Sequence, residues 1–322
     1  MDQADKIIDR FADQSILVVG DLMLDRYVWG NVEQISPEAP VQVLAVDHQS
    51  AVPGGSGNTA HNIVALGART AVVGLIGDDE AGAQLREHLA AEGVELHALA
   101  NGRPTTVKTR LVARNQQLMR IDNEQTTPLS DDTERKLLAM VDGLADRFDA
   151  VIVSDYAKGA VTPRLMQQVA TRFKIATVDP VPGHIDLYRD LTLLTPNHVE
   201  ASRATGIAER DEASLVRIGA ALVERTRSNI LVTRGEKGMA LFPVGGEPVF
   251  VHTDAQEVID VVGAGDTVIA ASTLSLAAGA DLVLAVRLAN LAAGIVVAKV
   301  GTAVATQDEL RSRLAVLNEG AA

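Results

Sequence analysis

Short, wholly apolar runs alternate along the chain with segments of helical periodicity. The apolar runs lie at 16–19, 70–76, 151–153, 175–178, 191–194 and 230–233. Because these runs are continuously apolar, they are typical of parallel strands that are covered on both faces. The helical segments lie at 58–66, 78–91, 162–173, 264–278, 281–299 and 307–317. This alternation predicts an α/β domain with right-handed crossovers.

Two segments, 27–46 and 105–122, interrupt this rhythm with the pattern of antiparallel strands. Lys108, Arg110 and Arg114 share parity in the second segment, so they would lie on one face of a strand. A surface hairpin without a function is one interpretation. We favour a small separate sheet that serves as a lid, because the insertion also carries these cations.

Composition narrows the classes of function. The 322 residues are 47% hydrophobic, enough for a large core, and include no cysteine, which excludes disulfides, thiolate nucleophiles and cysteine-ligated zinc. The net charge of −13 disfavours nucleic acid and anionic membranes as partners. Residues 1–11 form an amphipathic pattern rather than a signal peptide, and no apolar run reaches membrane-spanning length. We therefore expect a cytoplasmic protein without membrane insertion.

The stretch VVGAGDTVIA, residues 261–270, joins an apolar run to a helix start. Gly263, Ala264 and Gly265 are small enough for backbone N–H groups to converge, and the positive end of the helix favours an anion there. Asp266 would stand beside that anion, where it can take a proton from an attacking hydroxyl while the amides hold a phosphoryl group. The alternative is that Asp266 merely caps the helix.

Residues 53–60, PGGSGNTA, contain the spacing G-x-G-x-x-A from Gly55 to Ala60. This spacing is the dinucleotide fingerprint of an NAD(P)-dependent oxidoreductase. The fingerprint should follow the first strand directly, whereas here a polar stretch precedes it. A glycine turn that presents Asn58 and backbone amides to a polyhydroxyl ligand fits better.

Three further polar segments follow apolar runs, at the sheet edge where α/β proteins bind ligands. GDLMLD, 20–25, brings Asp21 and Asp25 within reach of sugar hydroxyls, or else forms a solvated loop. Asn197 and Glu200 share a helix face and suit a hydrated Mg²⁺. TRGEKG, 233–238, suits a nucleotide phosphate or a plain hairpin.

Taken in series, these motifs resemble the ribokinase-like (PfkB) carbohydrate kinases over nearly the whole chain. Their order is GDLMLD, GGSGN, SDYAKG (154–159), TPNHVE, TRGEKG, DVVGAGDT and LANLAAGIVVAKVGTA. The resemblance implies one domain over 1–322, a three-layer α/β/α sandwich with a mostly parallel central sheet. It also implies a β lid built from insertions near 27–50 and 104–123, and homodimers formed through that lid.

The same resemblance implies ATP and Mg²⁺ as cofactors, with K⁺ as a further ion. Asp266 would be the catalytic base, and the backbone of Gly263, Ala264 and Gly265 would hold the γ-phosphate. Residues implied at the ATP and its hydrated Mg²⁺ are Asn197, Glu200, Thr233, Gly235, Gly238 and Asn290, the last near the adenine.

The sugar side of the site follows from the resemblance as well. Asp25, Gly54, Gly55 and Asn58 would hold the sugar. Asp260, together with the turn near Gly301, matches a region that often holds a monovalent cation in this family.

Within the family, GDLMLDRYVWG, ISPEAPVQVLAV, KTRLVARNQQLMRID and SDYAKG are most similar to the D-glycero-β-D-manno-heptose 7-phosphate kinases. This resemblance implies ATP-dependent phosphorylation of the anomeric O1 to the 1,7-bisphosphate, for ADP-heptose and lipopolysaccharide core synthesis. Because the sequence ends at Ala322, we expect a stand-alone kinase.

A sugar phosphate needs cations at its distal end. By charge we expect the 7-phosphate to meet Lys108, Arg110, Arg114 and Lys158, and the competing interpretation is a solvated basic face. Another sugar or sugar-phosphate kinase, acting on fructose, ribose or a hexose phosphate, is the nearest alternative. A catalytically silent sugar-binding regulator is a further one.

Overall fold

The protein folds as two β-sheets with helices around the larger one, in a computed structural model that describes residues 3–114, 116–253 and 258–320. The strands in these ranges are β1 (Ser15–Gly20), β2 (Leu22–Ile35), β3 (Gln42–Gly55), β4 (Arg69–Leu75), β5 (Glu95–Leu99), β6 (Thr106–Ala113), β7 (Gln116–Asn123), β8 (Ala150–Ser154), β9 (Ala176–Asp179), β10 (Leu193–Leu194), β11 (Asn229–Thr233), β12 (Met239–Phe242) and β13 (Val249–Val251). The larger sheet has the order β13-β12-β11-β10-β9-β8-β1-β4-β5. It is parallel from β11 to β5, and β12 and β13 extend it antiparallel.

Helices cover both faces of this sheet. They are α1 (Gln3–Asp9), α2 (Ser56–Ala65), α3 (Glu80–Ala91), α4 (Asp131–Ala145), α5 (Pro163–Arg172), α6 (His198–Thr205), α7 (Glu212–Thr226), α8 (Ala264–Ala277), α9 (Leu282–Val296) and α10 (Gln307–Gly320). The predicted three-layer sandwich is confirmed, and each of the six apolar runs contains a strand, although the run 191–194 forms one only at its last two residues. The first two residues of the predicted amphipathic helix lie outside the described chain. Among the described residues, no helix is both long and apolar enough to cross a bilayer.

Strand β1 shows why the central runs are continuously apolar. Ile16 and Val18 pack into one core with α2, α8 and α9, whereas Leu17 and Val19 pack into a second core with α4, α5 and α7. All four side chains have no exposed surface. Since each buried aliphatic side chain contributes about 1.5–3 kcal/mol, both faces of β1 demand apolar residues.

The smaller sheet, of order β3-β2-β6-β7, is the predicted lid. The hairpins β2–β3 and β6–β7 are antiparallel as predicted, but β2 and β6 join them in parallel. The predicted insertion near 27–50 is too short, because β2 starts at Leu22 and pairs there with Gly55 at the end of β3. The chain therefore passes from the end of β1 at Gly20 into the lid with only Asp21 between the two strands.

Asp79 anchors the other insertion of the lid at its start. Its side chain caps α3 by accepting the N–H of Gly82 at 2.8 Å, and it also accepts the N–H and the hydroxyl of Thr105 at 2.8 and 2.7 Å. Burial opposes ionisation of Asp79, but these donors outweigh it and lower its pKa. The start of strand β6 is thus held in a fixed position relative to α3.

Candidate active site

Asp266 lies in the first turn of α8 and points away from its own helix. The helix is capped by Gly263, whose φ of 80° places it in the left-handed region. The carboxylate of Asp266 instead accepts hydrogen bonds from the Asn58 Nδ2 at 2.7 Å, the Thr59 hydroxyl at 2.8 Å and the Tyr156 hydroxyl at 3.1 Å. The interpretation of Asp266 as a helix cap is therefore wrong, and its side chain joins α8 to α2.

The environment of Asp266 favours a strong base. Burial raises the pKa of its carboxyl, the three donors lower it, and the nearby carboxylate of Asp25 raises it again. The net direction is upward from the usual range. A carboxylate that is buried but still hydrogen-bonded can accept a proton more readily than an exposed one.

Backbone amides at the start of α8 are available to an anion. The Ala264 N–H donates to the Val261 carbonyl at 3.3 Å, and the Thr267 N–H donates to the Gly263 carbonyl at 3.1 Å. Within the described ranges, no acceptor takes the N–H groups of Gly265 and Asp266. Since the first amides of a helix lack partners inside it, these two are the strongest candidates for an anion hole.

A cavity of about 340 Å³ opens against the start of α8. Its wall includes Ala264 and Gly265, and it has an apolar side at Val261, Val268 and Val297. Five of the six residues expected at the ATP and its Mg²⁺ line this one cavity: Asn197, Thr233, Gly235, Gly238 and Asn290. The sixth, Glu200, is not part of its wall. The segment 233–238 is both a hairpin, between β11 and β12, and part of this wall, so its two interpretations are compatible.

Asn197 and Glu200 form a capping box at the start of α6. The Asn197 side chain accepts the N–H groups of Val199 and Glu200, each at 3.0 Å, and Glu200 Oε2 accepts the Asn197 N–H at 2.8 Å. Burial raises the pKa of Glu200. Capping thus uses the Asn197 oxygen and one oxygen of Glu200.

Asp179, at the end of β9, was missed by the sequence analysis. Within the described chain its carboxylate has no hydrogen-bond donor, and burial together with the carboxylates of Asp266, Glu200 and Asp155 raises its pKa well above the usual range. An acid directly after the apolar run 175–178 is the same signal that singled out Asp21 after the first run. The position of Asp179 beside Glu200 and Asp266 was not evident from that signal.

The glycines of GGSGN lie at a strand-to-helix junction rather than in the predicted turn. Gly54 and Gly55 end β3, and α2 begins at Ser56, which puts Asn58 in the first turn of α2. A Cβ on Gly54 would lie 2.5 Å from Asp25 Oδ2, and Gly55 has a φ of 56°. Glycine is required at both positions, because the backbone passes close to Asp25 and then turns left-handed.

The lid cations are arranged differently from the prediction. Arg110 forms an ion pair with Asp25 at 2.7 Å, with side chains only 14% and 9% exposed. Lys158 pairs with Glu124 at 2.7 Å. Lys108 has no ion-pair partner among the described residues, and its ammonium lies 5.2 Å from the ring centroid of Tyr156. Lys108 is therefore the predicted cation best able to bind a new anion.

Arg114 does not share a strand face with Lys108. Strand β6 ends at Ala113, its register shifts between Leu111 and Val112, and Arg114 lies in the following turn with a φ of 48°. Parity failed here because alternation of faces holds only within a strand, and β6 has ended before Arg114. Arg120 on β7, opposite Arg110, was missed, and it pairs with Asp122 at 2.7 Å.

Two other acids of the motifs bind backbone. Asp260 accepts the N–H groups of Val262 and Gly301, each at 3.0 Å, which brings it to the turn at 301 as expected. Asp21, considered for sugar binding, instead accepts three N–H groups from the segment 156–160 at 2.8–3.0 Å. Asp21 therefore fixes the SDYAKG segment in place.

The chain is similar to known proteins over nearly its whole length. The pfkB family of carbohydrate kinases matches residues 13–309. The bifunctional protein HldE of Desulfatibacillum aliphaticivorans is 46% identical over 95% of this chain, and that of Geobacter metallireducens is 47% identical over 92%. The chain spans only 64% and 62% of those two proteins.

Solved structures show the same fold at lower identity. Phosphofructokinase-2 from Escherichia coli, in complex with potassium, matches with a TM-score of 0.81 at 20% identity, over 95% of this chain and 99% of its own. Arabidopsis thaliana ribokinase, complexed with ribose and ATP, matches with a TM-score of 0.74 at 23% identity, over 94% and 98%. The fold is thus ribokinase-like.

Proposed function

We propose, since the chain belongs to the pfkB family of carbohydrate kinases, that it transfers the γ-phosphate of ATP to O1 of D-glycero-β-D-manno-heptose 7-phosphate. One observation carries the kinase chemistry. The first residues of α8 line the nucleotide cavity, while the side chain of Asp266, in the same turn, turns to Asn58 and Thr59 on the sugar side. A phosphate and a hydroxyl would meet at this turn.

Asp266 would act as the general base. The sugar hydroxyl gives its proton to the carboxylate as its oxygen forms a bond to the γ-phosphorus, and the bond from that phosphorus to the bridging oxygen breaks to release ADP. The amides of Gly265 and Asp266 would stabilise the charge on the transferring group. The positive end of α8, a helix of 14 residues, adds to this field.

Mg²⁺ fits the acidic side of the cavity. No donor from the described residues bonds to the carboxylate of Asp179, and Glu200 keeps one oxygen that the capping box does not use. These oxygens suit a hard cation that retains part of its water shell. Glu200, Asp179 and Asn197 would hold the ion and its waters, and when bound it would neutralise charge on the phosphates. For Asp260 we propose a monovalent cation such as K⁺, because its carboxylate closes the turn at Gly301.

The sugar and its distal phosphate would lie between Asp266 and the lid. Asn58 donates to the base, Gly54 lies against Asp25, and Asp25 holds Arg110. Burial lowers the pKa of Lys108, because its ammonium is partly removed from water. An anionic partner would therefore stabilise the charged form of Lys108. A phosphorylated sugar satisfies this requirement better than a neutral one.

The choice of heptose 7-phosphate rests on the motif resemblance and on the similarity to HldE proteins. The nearest alternative is a kinase that acts on another sugar or sugar phosphate. One of the structural neighbours is a phosphofructokinase-2 in complex with fructose-6-phosphate. An NAD(P)-dependent oxidoreductase is disfavoured, because residues 53–60 follow the lid strand β3 rather than the first strand of the central sheet.

A substrate panel tests the proposal. ADP release is measured with ATP, Mg²⁺ and, in turn, heptose 7-phosphate, unphosphorylated heptose, ribose, fructose and fructose 6-phosphate. We expect the highest kcat/KM for heptose 7-phosphate. Lys108→Met should raise the KM for this substrate by about 10- to 100-fold, as expected for one charge-assisted hydrogen bond to a phosphate, with the KM for ATP unchanged.

Lys136→Met is the matched control for that panel. Lys136 lies on α4 in an exposed pair with Asp132 and should not affect any kinetic constant. A preference of the unmodified enzyme for an unphosphorylated sugar would remove the heptose-phosphate assignment. An equal loss for phosphorylated and unphosphorylated sugars in Lys108→Met would remove Lys108 from the phosphate site.

We also propose that the lid forms a homodimer interface. It exposes several large apolar side chains, Ile35, Val46, Met119 and Ile121, each at least 50% accessible. Apolar side chains exposed together on a small sheet are typical of a protein–protein contact. Sedimentation equilibrium of the purified chain should give a dimer, and a monomer at micromolar concentration would contradict this interface.

A further inference from the structure

Tyr156 connects the base to the sugar side of the site, and the family comparison assigns it no role. It follows β8 in the segment 154–159, SDYAKG. Its hydroxyl donates to Oδ1 of Asp266 at 3.1 Å. Thr59 donates to the same oxygen at 2.8 Å, while Asn58 donates to Oδ2 at 2.7 Å.

The carboxylates of Asp21 and Asp155 hold the backbone around Tyr156. The Tyr156 N–H donates to Asp21 at 2.8 Å, and the Lys158 N–H donates to the same carboxylate at 2.9 Å. Ala157 lies between them with a φ of 54°, and its N–H donates to Asp155 at 2.7 Å. Buried Asp21 therefore fixes the position from which the Tyr156 side chain reaches Asp266.

The ring of Tyr156 is also in contact with the lid. The Lys108 ammonium lies 5.2 Å from its centroid, within the range of a cation–π interaction. On the other side, a Cβ on Gly55 would approach the ring to 3.3 Å, so the ring packs closely against the end of β3. Tyr156 thus touches the base with its hydroxyl and Lys108 with its ring.

We infer that Tyr156 is a positioning residue that selects Oδ2 of Asp266 as the atom that takes the substrate proton. Two hydroxyl donors occupy both lone pairs of Oδ1, whereas Oδ2 has a single donor and one lone pair left. The remaining lone pair is the one that can accept a hydroxyl proton. This inference rests on the proposed kinase function.

Several charged groups face this hydrogen bond. The carboxylates of Asp25 and Asp179 disfavour the ionised form of Asp266, and Lys108 lies over the phenol ring. The hydroxyls of Thr59 and Tyr156 and the amide of Asn58 favour the ionised form. Loss of one donor should therefore raise the pKa of Asp266.

The pH profile of kcat tests the inference through Tyr156→Phe, which keeps the ring and removes the hydroxyl. We expect the acidic limb of the profile to move up by about one pH unit, and kcat on the plateau to fall about tenfold. The KM for ATP should stay unchanged. Tyr156→Leu, which also removes the ring, should in addition raise the KM for the sugar phosphate.

Tyr188→Phe is the matched control, because the Tyr188 hydroxyl donates to the buried carboxylate of Asp155 at 2.7 Å, outside the proposed reaction site. It should leave the acidic limb in place. An unshifted limb in Tyr156→Phe, in an enzyme that is otherwise active, would overturn the inference while leaving the proposed function intact.

A measurement without catalysis keeps the inference separate from the proposed function. Urea unfolding of Tyr156→Phe, Asp266→Ala and the double variant should show non-additive midpoints, because each single variant removes the hydrogen bond that the two side chains share. Additive midpoints would overturn the inference. Inactivity of the unmodified enzyme on every sugar, together with non-additive midpoints, would reject the proposed function and leave the contact between the two side chains established.

Discussion

Asp266→Asn is expected to lower kcat for phosphoryl transfer by roughly 10²- to 10⁴-fold, the usual contribution of a general base. The amide has nearly the same shape and can still accept from Thr59 and Tyr156, but it cannot take a proton. The nucleotide cavity is lined by Ala264 and Gly265 rather than by the Asp266 side chain, so ATP affinity should change less than about threefold. Initial rates and calorimetric titration with ATP measure the two effects.

Asp281→Asn is the control for this variant. Asp281 caps α9 by accepting the N–H of Leu284 at 2.8 Å, and Asn is an equally good cap, so activity should stay unchanged. An Asp266→Asn enzyme that keeps more than a tenth of the original kcat would refute the role of Asp266 as the base.

Gly20→Ala is expected to destabilise the fold by about 3 kcal/mol, at the upper end of overpacking effects. A Cβ at this position would overlap the backbone carbonyl oxygen of Ser154 on the neighbouring strand β8. Backbone atoms of two central strands cannot move aside as a flexible side chain can. The separation of β1 from β8 would also shift Asp21 from the N–H groups that it accepts. The midpoint of urea unfolding measures the effect.

Gly143→Ala is the opposite case and serves as the control. Gly143 lies within α4, and a Cβ there would meet no heavy atom within 4 Å. Because alanine favours the helix over glycine, this variant should be more stable by about 0.5–1 kcal/mol. If Gly20→Ala were as stable as the unmodified protein, the close approach of β1 and β8 would be incorrect.

The sheet was predictable because burial on both faces leaves its mark on every residue of a strand. The neighbourhood of segments at strand ends was predictable as well. Asn197 lies just after β10, Thr233 ends β11, and their backbones bridge at one edge of the sheet. Parallel strands bring their carboxyl ends together, so order along the chain is enough to predict that neighbourhood.

Local irregularities were beyond the reach of the pattern. Strand β6 ends at Ala113, and Arg114 has a left-handed backbone in the turn that follows, so it does not continue the alternation of the strand. Arg110 was expected to be free for a phosphate, but it is taken by Asp25 on the adjacent strand. Neither the end of β6 nor the pairing of Arg110 leaves a signal in the spacing of charged residues.

The sequence by itself determined the layered α/β architecture and the presence of a second, smaller sheet, and it predicted the segments of the candidate site, because apolar periodicity and glycine spacing are local properties. Only the tertiary structure decided the partners of each charged group. Asn58 meets Asp266 across 208 residues of chain, and Tyr156 meets it across 110. Contacts of that kind depend on how α2, α8 and the segment after β8 pack together, and this packing sets how many donors each carboxylate oxygen of Asp266 accepts.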